Sequence, residues 1–534
     1  MATFTNKSEL ISSMRSGNNL DWDIIIIGGG ITGAGILREA VRRGYKSLLI
    51  EKKDFSWGTS SRSSKMIHGG LRYLAAGDYK LTKESVQERQ RLLKEAPGLI
   101  YPISFFFSFR KGLFPGPWVM RLILLIYDWF ARKKDHRFYK NSELSKKFTN
   151  LDQDNLNGAV AYTDAMVDDS RLVLRLLQDS ISLGASAINY TEIKEFMTTD
   201  SKVVGVNIRD EKTNSDISLK SSVVINATGA WADEVRKTVS VERKVRPLRG
   251  SHIVIPSSVC PITDVFAFLH PKDKRGVYVY PWENQVIIGT TDLDHAQNLD
   301  IEPSISCKEL QYLLDGFNSQ FKTSKLGEKD IISTWAGVRP VIGSDKSKDP
   351  SKERRDHVVW NDKNLITVSG GKLTTFRLIA IDVLNQAKNL LPEPKEIVEE
   401  TVFHTPKNTG THLDWSNHAE SKRLLGRFGH KATEVIKLSE ECKTKPLEKF
   451  RYLMAECRWA ILNEAVEHLD DLMLRRTRVG MCLPNGGQEV LPDLKNIFLE
   501  EKQWTLKKWN DEVQNYLQIW QNYYSLPQKE NASS

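Results

Sequence analysis

Asp21-Trp22-Asp23-Ile24-Ile25-Ile26-Ile27-Gly28-Gly29-Gly30-Ile31-Thr32-Gly33-Ala34-Gly35 is the stretch from which the fold is read. Four consecutive isoleucines suit a strand buried on both faces, the habit of a parallel sheet. The run ends in glycines, and Ile36, Leu37, Ala40 and Val41 then follow a helical pattern. Strand, glycine turn and helix make the first half of a βαβ unit. Gly28-x-Gly30-x-x-Gly33 has the dinucleotide spacing: a tight turn, a close backbone approach to pyrophosphate, and close helix–strand packing. The helix N-terminus, with Ile31, Thr32 and Gly33, presents free N–H groups to phosphates. A second strand, Ser47-Leu48-Leu49-Ile50, ends in Glu51, with Lys52 beside it. Glu51 lies 23 residues after Gly28, where a carboxylate accepts hydrogen bonds from a ribose. A chance Gly-rich turn would leave this whole arrangement unexplained.

A chain of 534 residues exceeds one ordinary core, so two or more domains are expected. Hydrophobic residues make up 40% and charged residues 27%, a globular balance. Net charge is +9, and residues 401–534 are close to neutral, so the excess lies with the nucleotide motif. A basic catalytic half suits an anionic substrate or an anionic surface. No recognised nucleic-acid motif is present, and no nucleic-acid partner is expected. Cys260, Cys307, Cys442, Cys457 and Cys482 form no CxxC and no zinc spacing. They read as reduced thiols of a cytosolic setting, and no metal site is expected. The first twenty residues lack an apolar signal core, and no run of about 18 uncharged apolar residues predicts a spanning helix.

Residues 1–20 read as an arm or a short helix. The stretch Ser56 to Tyr73 is dense in hydroxyls, glycines and bases. Thr59, Ser60, Ser61, Ser63 and Ser64, then His68-Gly69-Gly70-Leu71, offer hydroxyls and N–H groups suited to a second phosphate or a flavin edge. Leu81–Leu93 reads as a helix and Phe105–Phe109 as a strand. Trp118–Phe130 is apolar almost all round, too short to span a bilayer, and flanked by Arg132, Lys133, Lys134 and Arg137. It suits a buried helix or an interfacial helix meeting anionic lipid, and the pattern alone favours burial. A helix is expected near Arg171–Leu183. Val223–Asn226 reads as a strand closing on Ala227-Thr228-Gly229, with Trp231 just beyond, where backbone would come close to a bound nucleotide. Strand patterns dominate from Val245 to Thr291. Leu365–Ser369 runs into Gly370-Gly371-Lys372-Leu373-Thr374-Thr375, again strand, glycines and helix, with a lysine and hydroxyls at an anion-friendly helix start. Residues 391–411 read as a linker and 412–534 as a helical domain, strongest at Arg451–Arg478.

These stretches together resemble the FAD-dependent, respiratory, quinone-linked glycerol-3-phosphate dehydrogenases. The matching residues are Gly28–Gly33 with Glu51, Gly58–Lys65 running into His68–Leu74, Arg249–His252, Gly337–Pro340, Gly370–Thr375, and Glu464-Ala465 with Asp471 to Thr477 in the tail. The resemblance implies an α/β, two-dinucleotide-binding-domain (Rossmann-like) FAD fold over 21–390. An interleaved β-rich substrate cap, near 97–150 and 245–330, and a C-terminal helical domain complete it. It implies FAD as cofactor, glycerol 3-phosphate as substrate, dihydroxyacetone phosphate as product and the quinone pool as acceptor. It also implies a peripheral protein on an anionic membrane surface, at the cytoplasmic face of the inner membrane. It leaves a homodimer open.

The substrate phosphate is a dianion and needs fixed cations. Arg72, Arg339 and Lys372 match substrate-contacting positions of the family, with Tyr73 beside them, and Arg355 is a fourth candidate in a less distinctive context. A guanidinium fork suits phosphate oxygens. His252 is the expected base or base partner, since its ordinary pKa lies near working pH. Arg339 could instead lower the pKa of the substrate hydroxyl. Arg475 and Arg476 read as interdomain ion-pair partners, not a second phosphate site. Phe376 stands where relatives often carry Tyr, which puts one flavin or substrate contact in question. With the family in view the interfacial reading of 118–137 gains weight and stands level with burial. An oxidase passing electrons to oxygen on the same scaffold, and an amine or hydroxy-acid oxidoreductase, are the alternatives.

Overall fold

The computed structural model describes residues 7–75, 77–112, 116–240, 242–322, 325–343, 356–394, 401–403, 419–441 and 454–528, without the side chains of Arg72 and Ala75. Its first sheet has eight strands. At the centre lies Asp21–Ile27, paired in parallel with Ser47–Ile50 on one side and with Ser215–Asn226 on the other. Leu365–Gly370 and Ser186–Ile188 extend the parallel set outward. The isoleucine run is buried on both faces: Ile24 and Ile26 pack with the Ile31–Arg42 helix, and Ile25 and Ile27 with the opposite layer. Each such side chain contributes about 1.5–3 kcal/mol by leaving water. The chain leaves the central strand toward one neighbour and returns later on its other side, so a crevice opens at the strand ends, at Gly28 and Ala227.

The second sheet has ten strands. Val245–Pro256 is its organising strand, with Gln285–Gly289 on one edge and Ser333–Ile342 on the other. It draws on Met66–Ile67, Leu156–Val167 and Ser333–Ile342, which lie outside the cap limits expected from sequence. This sheet is thus interleaved with the nucleotide domain along the chain.

The C-terminal helices include Met454–Asn463, Leu491–Glu501 and Leu506–Tyr523. Their Leu472, Met473, Tyr516 and Trp520 share one apolar core with Trp282 and Trp335 of the cap sheet. Within the expected linker, residues 391–394 and 401–403 are described, and the second stretch is docked: Phe403 is buried and Arg38 Nε donates to the Val402 carbonyl at 2.8 Å.

The reading of Trp118–Phe130 as a buried helix does not hold. Pro117–Ala131 is a helix with only one face inside, through Met120, Leu124 and Tyr127. Trp118 is 80% exposed, Leu122 62% and Trp129 74%. Among the described residues no helix is long and apolar enough to cross a membrane.

Candidate active site

The glycine turn leaves no room for side chains. Gly28 has φ +107°, and a Cβ there would lie 2.8 Å from the Ala227 carbonyl oxygen. A Cβ on Gly33 would stand 1.9 Å from the Gly28 carbonyl oxygen. Gly30 starts the helix with no side-chain cap, which leaves its end open to a phosphate. Ser60 Oγ accepts from Ile31 N at 2.9 Å, tying the hydroxyl-rich loop to that helix start. Glu51 accepts from Gly29 N at 2.6 Å and from Lys53 N at 2.8 Å. Burial raises its pKa and these two donors oppose the rise. Held this way, the carboxylate keeps free lone pairs for ribose hydroxyls. Lys52 does not join this group: its ammonium sits between Glu192 at 3.4 Å and Asp300 at 3.5 Å. Trp231 also reaches Asp300, at 3.2 Å, and its ring backs Gly58.

Three stretches far apart in sequence close a wall beside this crevice. Thr59 Oγ1 donates to the Val338 carbonyl. Thr374 Oγ1 donates to the His68 carbonyl at 3.2 Å, and Gly69 N donates to Asp164 Oδ1 at 3.1 Å. Ser369 Oγ donates to the Gly229 carbonyl at 3.0 Å, and Thr228 Oγ1 to Asn226 Oδ1 at 2.7 Å. Gly229, Gly370 and Gly371 all take positive φ, which lets both strand ends turn sharply at the crevice. Leu71 begins the short helix Leu71–Ala75 at the same wall. The cradle at Gly28–Gly33, the acid at Glu51 and this second wall fit FAD. Phe376 is buried against Gly35, its Cδ2 2.9 Å from where a Cβ would stand. Its ring packs on the nucleotide helix.

The cations are aimed by their neighbours. Arg339 Nη1 donates to Asp292 Oδ1 at 3.1 Å and Nη2 to Thr290 Oγ1 at 3.1 Å, with the side chain partly exposed. Gly250 passes behind it, where a Cβ would lie 2.3 Å from Nη2. Lys372 Nζ donates to Ser85 Oγ at 2.9 Å and sits 3.8 Å from the centroid of the Tyr73 ring. The ring of His68 stacks on Tyr73 at 6.4 Å. Arg355 and the Arg72 side chain lie outside the described residues.

His252 is 1% exposed. Its Nε2 is 2.8 Å from Ser64 Oγ and its ring stacks on Trp335 at 4.8 Å. Burial, then the charges of Arg339 and Lys65, hold its pKa well below the ordinary 6.5. Burial thus favours the uncharged form of the ring.

Sequence reasoning missed the acids beneath the hydroxyl loop. Asp54 is buried between Arg475 and Arg476, with Arg476 Nη2 donating at 2.8 Å. That contact agrees with the expected interdomain pairing of the two arginines. Asp169 and Lys65 are both fully buried and paired at 2.9 Å. A signal was present for one of them: the Asp168-Asp169 pair follows the apolar run Ala165-Met166-Val167.

Residues 23–379 match the family described as FAD dependent oxidoreductase, and residues 396–508 match the C-terminal domain of alpha-glycerophosphate oxidase. The chain is 33% identical to the aerobic glycerol-3-phosphate dehydrogenase of Staphylococcus haemolyticus, over 89% of this chain and 90% of that one. It is 31% identical to glycerol-3-phosphate dehydrogenase 2 of Mycobacterium tuberculosis, over 93% of this chain and 87% of that one. Among solved structures, the glycerol-3-phosphate dehydrogenase of Bacillus halodurans complexed with FAD superposes with a TM-score of 0.74. That match has 24% identity and covers 97% of this chain and 98% of the other, which fixes the fold.

Proposed function

We propose that this chain, which belongs to the FAD-dependent oxidoreductase family and within it to the glycerol-3-phosphate dehydrogenases, oxidises sn-glycerol 3-phosphate to dihydroxyacetone phosphate. The observation that carries the reading is the near full-length similarity to aerobic glycerol-3-phosphate dehydrogenases, through both domains. FAD, when bound, supplies the acceptor for the hydride that leaves C2. The side chains do the rest. Arg339 and Lys372 are fixed cations for the phosphate dianion, each pre-aimed by its neighbours so that little freedom is lost on binding. Ser64 Oγ takes the C2 hydroxyl proton while handing its own to the neutral His252, so that a ketone forms as the C2 hydride departs. Arg339 can assist by stabilising charge that develops on the hydroxyl oxygen. Tyr73 and His68 form the wall that shields the site from water.

The acceptor in this reading is quinone, reached at the cytoplasmic face of the inner membrane. The exposed apolar face of Pro117–Ala131, with Arg121, Arg132, Lys133 and Lys134 exposed around it, supports contact with an anionic bilayer. The second reading, oxygen as acceptor with peroxide released, is favoured by one observation, the oxidase description of the C-terminal match. Anaerobic mixing of the FAD-loaded protein with glycerol 3-phosphate is the deciding experiment. Bleaching of the flavin absorbance is expected, and a spectrum that does not change would overturn both readings. Peroxide yield with and without a soluble quinone then separates them.

A further inference from the structure

The C-terminal domain places a guanidinium under the hydroxyl-rich loop. Arg478 is fully buried and sits in the left-handed region at φ +66°. Its Nε and Nη2 donate to Asp168 Oδ1 at 3.0 and 2.8 Å, and Nη2 also donates to Asp169 Oδ1 at 2.5 Å. Its Nη1 donates to the Ser61 carbonyl at 3.1 Å. Asp169 then grips the loop from beneath. Its Oδ2 accepts from Ser63 N at 2.9 Å and from Ser63 Oγ at 2.6 Å, and its carboxylate accepts Lys65 Nζ at 2.9 and 3.0 Å. Lys65 itself holds a positive φ of 59°, an unfavourable conformation that this anchoring sustains.

The residue between those two anchors is Ser64, and its Oγ lies 2.8 Å from His252 Nε2. The imidazole is confined on both sides. Trp335 stacks on it at 4.8 Å, and a Cβ at Gly289 would come within 2.2 Å of its Cδ2. Its Nδ1 is buried without a hydrogen-bond partner. Ser64 Oγ is therefore the polar contact that orients the ring. A buried carboxylate shared by an arginine and a lysine cannot tilt without leaving a buried cation uncompensated, so the geometry at Ser64 is fixed by the ion cluster below it.

We propose that Arg478, acting through Asp169, is a positioning residue for the oxidation: it holds Ser63 and Lys65 so that Ser64 Oγ is kept against His252 Nε2. The helical domain thereby sets the proton-handling geometry of the other domain, instead of only packing against it. This rests on the proposed role of the Ser64–His252 pair. A merely structural ion cluster would affect stability and leave that pair unchanged.

The test uses Arg478→Lys, Ser64→Ala, their combination, and Ser63→Ala. Two readouts are taken: anaerobic flavin reduction in the FAD-loaded chain across pH, and the ¹⁵N-imidazole signals of His252 in the apoprotein. Arg478→Lys is expected to slow reduction roughly 10- to 100-fold, the cost of a small misplacement, with the affinity for glycerol 3-phosphate nearly unchanged. The double variant is expected to be no slower than Ser64→Ala, since both act through one contact. The His252 Nε2 signal is expected to move in Arg478→Lys and Ser63→Ala as it does in Ser64→Ala. A flavin-loaded Arg478→Lys with the wild-type rate and His252 signal overturns the proposal, and so do losses that multiply in the double variant. If Arg478→Lys does not fold, Ser63→Ala decides, because it keeps every charge: an unmoved His252 signal with an unchanged rate overturns the proposal. If the wild type itself fails to bleach, the functional reading falls, and the apoprotein signals still judge the hold on His252.

Discussion

Lys372 Nζ stands 3.8 Å from the centroid of the Tyr73 ring and donates to Ser85 Oγ at 2.9 Å. An ammonium so held points in one direction before any substrate arrives, and the aromatic face contributes about 0.5–2 kcal/mol to keeping it there. Removing the charge in Lys372→Met should raise KM for glycerol 3-phosphate by roughly 10- to 100-fold, about one charge-assisted hydrogen bond, with a smaller effect on kcat. Tyr73→Leu should show a weaker form of the same defect. Steady-state kinetics with a soluble quinone checks both, and an unchanged KM in Lys372→Met would remove this lysine from phosphate binding.

His252 gives a pH prediction with a definite sign. Burial first, then the positive charges of Arg339 and Lys65, hold its pKa well below 6.5 in the folded chain. Unfolded, it takes up a proton near pH 6.5. Below that pH the unfolded state binds more protons, so the stability tied to a neutral His252 is complete above about pH 6.5 and declines as pH falls. His252→Gln should therefore lose less thermal stability than wild type between about pH 7.5 and 5. Parallel melting curves at the two pH values decide it: equal losses would mean that the imidazole is not held neutral.

The nucleotide half of this site was legible because its determinants are local. The isoleucine run, the glycine turn and Glu51 sit within one βαβ unit, where strand burial and turn sterics fix the outcome. The ion cluster was not legible, because its partners are remote in the chain: Arg478 and Asp168 are 310 residues apart, and Arg476 and Asp54 are 422 apart. The arginines could be expected to pair across domains, but only the fold names Asp54. Pro117–Ala131 misled for another reason. Its solvent face is as apolar as its core face, so the pattern lacked the polar stripe by which a surface helix is recognised.

The glycine at position 33 is a sharp test of the cradle. A Cβ there would stand 1.9 Å from the Gly28 carbonyl oxygen, and neither backbone can retreat without parting strand from helix. Gly33→Ala should abolish FAD retention, whereas Gly17→Ala, which would meet nothing within 4 Å, should retain cofactor, with only the strain of a positive φ. Flavin content after gel filtration measures the difference, and full FAD occupancy in Gly33→Ala would contradict the proposed pyrophosphate turn.

Asp54 joins the domains. Its carboxylate, fully buried between Arg475 and Arg476, is held down at a pKa of about 2 by their charges and hydrogen bonds, against the opposing effect of burial. A depressed folded value means stability that is present above the unfolded pKa near 3.8 and is lost as pH falls toward about 2. Asp54→Asn leaves two buried guanidinium groups undercompensated and should cost about 3–5 kcal/mol. Denaturant midpoints at neutral pH check this. A loss below about 1 kcal/mol would place the pair among ion pairs of little consequence.

The proposed membrane contact of Pro117–Ala131 can be tested apart from catalysis. Trp118, Leu122 and Trp129 project from it, while Leu124 is fully buried. Aspartate at Leu124 would therefore unfold the region and report nothing about lipid. Trp118→Glu with Leu122→Glu changes only exposed positions, so flavin reduction by glycerol 3-phosphate should stay at the wild-type rate. On the bilayer, the two substitutions remove apolar insertion and add charge that anionic headgroups repel. Flotation with vesicles of phosphatidylcholine and phosphatidylglycerol should fall at least several-fold. The remaining attraction, from Arg121, Arg132, Lys133 and Lys134, should be screened away at about 0.5 M salt, where the Debye length is only a few ångströms. Undiminished flotation of the folded double variant would remove this face from the proposed membrane contact.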